Sequence, residues 1–220
     1  MAGRIAYYGN IVKDGLVLDL DAAKKDSYPG TGTVWRDISG NGYTGSLTNG
    51  PTFSSANGGF ISFDGSNDYC ITNYTDNPTY FTFECAFKFN TILGVKVIVG
   101  KYNGVGNDYW MGLSSGGNIV FSTNGTILNS NVVGSTSPYN IVTCVISSTA
   151  KEIYVNGALK NSTSTVSISP GGGIALATFG QAIAGFYSAT DIASFKFYNR
   201  ALSATEVTQN YNALKGRFGL

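Results

Sequence analysis

The sequence predicts an all-β fold in which two antiparallel sheets stack into a sandwich, with one short helix near the C-terminus. Three observations predict it. Short runs with period-two hydrophobicity recur along the chain, Asn-Gly and Asp-Gly pairs punctuate them, and one capping box opens a helical pattern late in the sequence. The composition agrees: 29 glycines and 13% aromatic residues among 220 combine many turns with many rings, as all-β chains do.

The clearest strand is 81–89, FTFECAFKF. Phe81, Phe83, Cys85, Phe87 and Phe89 fall on one face, and Thr82, Glu84, Ala86 and Lys88 on the other. That alternation predicts one buried face and one wet or lightly covered face. A charge at Phe83 or Phe87 is expected to unfold the protein. Similar runs lie at 16–20, 60–63, 69–71, 95–99, 109–113, 119–121, 141–146, 153–155, 174–176 and 192–198. So many short strands exceed one flat sheet and call for two.

The turns follow from pairs that tolerate positive φ. Asn-Gly occurs at 41–42, 49–50, 57–58, 103–104, 124–125 and 156–157, and Asp-Gly at 14–15 and 64–65. The best hairpin centres on Asn156-Gly157. The helix is expected over 204–215. Ser203 and Glu206 form its capping box, Leu202 and Val207 its hydrophobic staple, and Gly216 its stop.

At this length the chain suits one sandwich, spanning 15–220, with a core large enough to need no staples. Residues 1–14 precede it as an N-terminal arm or first edge segment. Tyr7, Tyr8 and Ile11 in that arm are the candidate partner contacts.

Composition excludes several functions. The net charge is +1 and only 12% of residues are charged, so no field is available for nucleic acid or a membrane surface. No apolar run approaches a membrane span, and the N-terminus lacks an apolar signal core; the expectation is synthesis in a cytoplasm without a signal peptide. Cys70, Cys85 and Cys144 are odd in number and widely spaced, and read as reduced, buried thiols.

The absence of histidine removes Ser-His-Asp and Cys-His nucleophilic sites and His-ligated metals. Two acidic groupings remain. Asp19 and Asp21 point to one strand face and need a cation, an arginine or amides between them. They form a calcium pair or, the preferred account, a strand end with Asp21 capping the next turn. Asp37, Ser39 and Asn41 imitate half of a calcium loop, but Thr48 stands where a bidentate Glu belongs, and an Asx-turn explains the same residues. Asp19, Asp21, Asp37 and Asn41 are thus the candidate calcium ligands. For a glycan, Tyr102, Asn107, Asp108 and Trp110 supply an aromatic platform beside polar hydrogen bonders, with Trp110 on the strand face opposite Tyr109.

Several segments carry a resemblance: 14–22 (DGLVLDLDA), 27–42 (SYPGTGTVWRDISGNG), 47–53 (LTNGPTF), 63–69 (FDGSNDY), and 197–203 (FYNRALS) followed by Glu206. They resemble the laminin G-like branch of the concanavalin A-like lectin/glucanase superfamily. With the ending 210–219 (NYNALKGRFG), they are similar to proteins of tailed bacteriophages, cyanophages among them. The resemblance covers nearly the whole chain and implies a jelly-roll sandwich, a structural calcium in many members, and a virion protein assembled in a host cytoplasm. Two roles follow from it. One is a capsid decoration or head accessory protein docked on the major capsid protein, on other virion proteins or on its own copies. The other is a tail-fibre adhesin for host-surface glycans. The lack of a shaft or coiled coil favours the first. Glucanases of this fold carry Glu-x-Asp-x-Glu on one strand, whereas Glu84, Glu152 and Glu206 stand apart here. The chain is therefore expected to be no enzyme.

Overall fold

The computed structural model describes residues 10–101, 108–164, 173–178 and 186–220. Among the described residues, two antiparallel sheets of eight strands each face one another. The first contains β1 (Leu16–Asp21), β4 (Thr52–Ser54), β5 (Phe60–Asp64), β7 (Phe81–Phe89), β12 (Asn140–Ile146), β13 (Ala150–Val155), β14 (Ala158–Ser164) and β16 (Ala189–Tyr198). Its order is β14-β13-β12-β7-β16-β5-β4. The long β16 pairs with β5 through its first half and with β1 through its second. The second sheet contains β2 (Val34–Arg36), β3 (Thr44–Thr48), β6 (Tyr69–Thr72), β8 (Lys96–Lys101), β9 (Tyr109–Leu113), β10 (Asn118–Thr123), β11 (Thr126–Val133) and β15 (Ala175–Leu176), in the order β11-β10-β9-β8-β15-β6-β3-β2.

Alternation builds the core. Phe83 of β7 stacks on Tyr109 of β9 with ring centroids 5.7 Å apart and meets Phe121 of β10 edge-on at 5.5 Å. Phe81, Phe87, Phe195, Phe197 and Met111 lie in the same buried cluster. Each such side chain removed from water stabilises the fold by roughly 1.5–3 kcal/mol. Cys70, Cys85 and Cys144 are buried free thiols, as expected from their strand positions.

The turn chemistry appears where the pairs predict it. Asn156 and Gly157 take φ of 52° and 75° between β13 and β14, and Asn124 and Gly125 take 47° and 73° between β10 and β11. Both are two-residue turns with positive φ at each central residue, which suits the twist of a hairpin.

Five strands escaped the periodicity: β2, β3, β4, β11 and β14. All but β3 stand at the ends of the strand order. An edge strand buries little, so its sequence need not alternate; β14 is exposed at six of seven positions.

The outer face of β7 corrects an expectation. Thr82, Glu84 and Ala86 are buried rather than wet, because a third layer lies over the first sheet. That layer is the helix α1 (Ala204–Leu214) with the 3-10 turn that follows it. Val207 and Leu202 pack with Val12, Tyr154 and Tyr198, while Leu214 and Phe218 pack with Ala86, Tyr139 and Ala193. The capping box forms as read: Glu206 N–H donates to Ser203 Oγ and Ser203 N–H to Glu206 Oε2. The stop does not. Gly216 lies inside the 3-10 turn, and Gly219, with φ of 69°, ends it.

The described end of the segment read as an arm or first edge segment packs on the helix. Val12 N–H donates to Asn210 Oδ1 at 2.8 Å and its carbonyl accepts from the Tyr198 hydroxyl at 3.2 Å. The Asn10 carbonyl accepts from Gln209 Nε2 at 2.7 Å. Residues 10–12 therefore belong to the covering layer. Ile11, read as a docking residue, is half-buried against the Tyr198–Val207 cluster. Tyr7 and Tyr8 lie outside the described residues.

Candidate functional site

Strand register assembles a polar row on the covered face of the first sheet. Asp19 of β1 stands opposite Lys196 of β16, Lys196 opposite Glu84 of β7, and Glu84 opposite Thr143 of β12. Lys196 Nζ lies 3.6 Å from Asp19 Oδ1, and the Thr143 hydroxyl donates to Glu84 Oε2 at 3.1 Å. Burial raises the Glu84 pKa, an effect that Lys196 and Thr143 only partly offset. Burial pulls Lys196 down, but the Asp19 and Glu84 carboxylates more than compensate and hold it up as a cation. Asp19 Oδ1, Lys196 Nζ and Glu84 Oε1 are buried and make no hydrogen bond with any described residue.

Beside this row the carboxylate of Asp21 accepts from Arg217 Nη1 at 2.7 Å and from Ala23 N–H at 2.9 Å. Arg217 also donates to the carbonyls of Asn57, Gly59 and Ala193, which pins the C-terminal turn to the sheet. A cleft of about 390 Å³ opens between the end of α1, residues 10–13 and the turn at Ala23–Lys24. Asp19 and Lys196 line it on the sheet side.

The four calcium candidates are engaged by the chain's own groups. Lys196 pairs with Asp19 and Arg217 with Asp21. Asp37 Oδ1 accepts the N–H groups of Asp19 and Ser39, both at 2.8 Å, and its Oδ2 accepts the Ser39 hydroxyl at 2.7 Å. Asn41 turns its amide nitrogen toward the Val17 carbonyl and Ser39 Oγ. Asp37 and Asn41 thus tie their loop to β1 in an Asx-turn, and Asp21 caps the turn after β1. Among the described residues no three His, Cys, Asp or Glu side chains gather as a metal site.

Of the glycan candidates, Tyr102 and Asn107 lie outside the described residues. Asp108 is half-buried, and its carbonyl accepts from Asn124 N–H at 3.0 Å. Trp110 is half-buried on the outer face of the second sheet, in register with Gly100 of β8 and Ser122 of β10. Tyr109 points the other way, into the core.

The glutamates are equally committed. Glu84 is buried under the covering layer. Glu152 Oε2 accepts the Tyr154 hydroxyl at 3.1 Å, and Glu206 pairs with Arg200 at 2.5 Å while capping α1. Sequence reading missed Lys196 and Arg217. The signal for Lys196 was present: it is the one charge in the apolar run 192–198, on the face with Ser194 and Tyr198. Arg217 carried none, since its partner lies 196 positions away.

Two stacked antiparallel sheets with a covering C-terminal helix and a buried polar row define a lectin-like β-sandwich. The chain belongs to the concanavalin A-like lectin/glucanases superfamily: a laminin G family model of that description matches residues 63–208. No curated protein sequence matches the chain. Among solved structures it is similar to the binding domain of Paraclostridial Mosquitocidal Protein 1, with TM-score 0.71, 18% identity, and coverage of 91% of this chain and 52% of that one. It is also similar to the receptor-binding domain of a botulinum neurotoxin C/D mosaic serotype (TM-score 0.70, 17% identity, 91% and 51% coverage). Trypanosoma rangeli sialidase in complex with sialic acid is a third (TM-score 0.70, 14% identity, 92% and 33% coverage). At these identities the likeness is one of fold. The chain spans about half the length of the toxin domains and a third of the sialidase.

Proposed function

We propose that this chain is a non-catalytic binding module of a tailed-phage virion, a capsid decoration or head accessory protein that docks on capsid proteins. The observation that carries the non-catalytic part is the commitment of every glutamate. Glu84 is buried, Glu152 holds a tyrosine and Glu206 caps a helix, and the two aspartates that line the cleft, Asp19 and Asp21, are ion-paired with Lys196 and Arg217, which argues against a free acid–base pair. The phage context is supported by the segments 14–22, 27–42 and 210–219. A decoration protein binds purified capsids in a fixed copy ratio on co-sedimentation. Failure to co-sediment with capsids of the virus that encodes it removes this reading.

A second reading, a host-glycan adhesin, is favoured by a specific observation. The similar folds include toxin binding domains, one seen in complex with rat synaptotagmin II and another from a toxin whose cell entry depends on two ganglioside molecules. An adhesin binds host cells or a glycan array as isolated protein; a decoration protein does not.

A further inference from the structure

Strand register sets the Lys196 amine between two carboxyl groups on one face of the first sheet, Asp19 on β1 and Glu84 on β7. The Lys196 and Asp19 side chains are 2% and 5% exposed. Lys196 Nζ, Asp19 Oδ1 and Glu84 Oε1 are closed to solvent and lack a hydrogen-bond partner among the described residues. Nζ stands 3.6 Å from Oδ1, near the separation at which an oriented nucleophile attacks. Asp21 is held by Arg217 and the Ala23 N–H, which leaves Asp19 as the carboxyl group open to Lys196. Burial raises the Glu84 pKa and so favours its neutral acid, while the Thr143 hydroxyl orients that group by donating to Oε2 at 3.1 Å.

We propose that Lys196 and Asp19 condense into an intramolecular amide, a covalent link between β1 and β16, with Glu84 carrying the protons. The ammonium passes one proton to the Asp19 carboxylate, and the amine lone pair forms a bond to Asp19 Cγ. Glu84 then takes a second proton from the nitrogen and delivers one to the departing hydroxyl, so that the C–O bond breaks and water leaves. Glu84 ends as it began, net charge is conserved and nothing is oxidised or reduced. Asp19 and Lys196 border the cleft under α1, which gives the released water its exit. The neighbouring carboxylates hold Lys196 as a cation, but the bond has to form only once per chain, so the minor amine form is sufficient. Condensation replaces two buried charges by one neutral amide, whose N–H can donate to Glu84 Oε1. The link is independent of what the module binds.

The test is intact-mass measurement of the purified, folded full chain, followed by trypsin digestion and fragment sequencing. The expected mass is that of the sequence less one water. The expected digest contains a branched peptide in which Asp19 of residues 14–24 is joined to Lys196 of residues 161–200, because an acylated lysine resists trypsin. A mass equal to that of the sequence overturns the proposal. So does a water lost without the branched peptide, as a succinimide at Asp14-Gly15 or Asp64-Gly65 produces, and so does a branch at Asp21 or Glu84. These measurements decide the link without any substituted chain. Glu84→Gln keeps the shape of the side chain and removes its acid, and most of its folded chains are expected to keep the full sequence mass. Linkage as complete in Glu84→Gln as in the unsubstituted chain overturns the role given to Glu84.

Discussion

The Arg217 guanidinium donates to the Asp21 carboxylate at 2.7 Å, joining the last turn of the chain to its first strand. Both side chains are largely buried, at 15% and 10% exposure. Removing one member of such a pair leaves the other charged and unpaired, so Arg217→Ala is expected to lower unfolding free energy by about 3 kcal/mol. Urea unfolding measures it. A change below about 1 kcal/mol would mean the pair is screened as surface pairs are.

Strong acid is expected to loosen the cap of α1. Hydrogen bonding from Arg200 lowers the Glu206 pKa from 4.5 to about 2. The native state therefore holds this proton less tightly than the unfolded chain. Its contribution is fully present above pH 4.5 and is lost as pH falls toward 2. Glu206→Gln is expected to flatten that limb of a stability–pH series and to cost about 1 kcal/mol at neutral pH through the weakened cap. A limb of unchanged slope in the variant would place the titration elsewhere.

Two hairpin glycines are expected to differ although both have positive φ. At Gly125 an added Cβ meets nothing within 4 Å, whereas at Gly157 it comes within 2.6 Å of the Tyr211 ring on α1. Gly125→Ala is expected to cost about 1 kcal/mol, the ordinary penalty of a left-handed alanine. Gly157→Ala is expected to cost clearly more, because the turn must also separate from the helix. Thermal melts of the two single variants compare them directly; equal costs would show that Tyr211 yields freely.

Phe83 touches both sheets, so truncating it removes packing that no neighbour can replace. Phe83→Ala is expected to cost about 3–5 kcal/mol, and Phe83→Asp to prevent cooperative folding. Near-native melting of the aspartate variant would refute the assignment of Phe83 to the core.

The position of the arm can be tested by truncation. Deleting 1–9 spares the bonds of Asn10 and Val12 to α1, whereas deleting 1–12 removes both. The shorter deletion is expected to melt like the full chain and the longer one at a lower temperature. If attachment to capsids is lost already in the shorter deletion, Tyr7 and Tyr8 carry the contact.

What a reader of the sequence could extract follows from how locally each signal is encoded. Phe81–Phe89 alternates because it crosses the middle of the sandwich, and its pattern alone placed it there within a residue. The capping box at Ser203 and the turn at Asn156-Gly157 were equally legible, since each is a bargain among residues at most three apart. The turn announced where β14 starts but not how far it runs, because an exposed edge leaves its residues free of any pattern.

Alternation, turn pairs and one cap thus determined by themselves that the chain is a two-sheet sandwich with a terminal helix. Tertiary structure alone decided that the helix covers the first sheet, that Glu84 and Lys196 are buried beneath that layer, and that Arg217 meets Asp21. The physical reason is range. Hydrophobic periodicity and backbone dihedrals are properties of neighbouring residues, whereas burial of a charge depends on which distant segment folds over it.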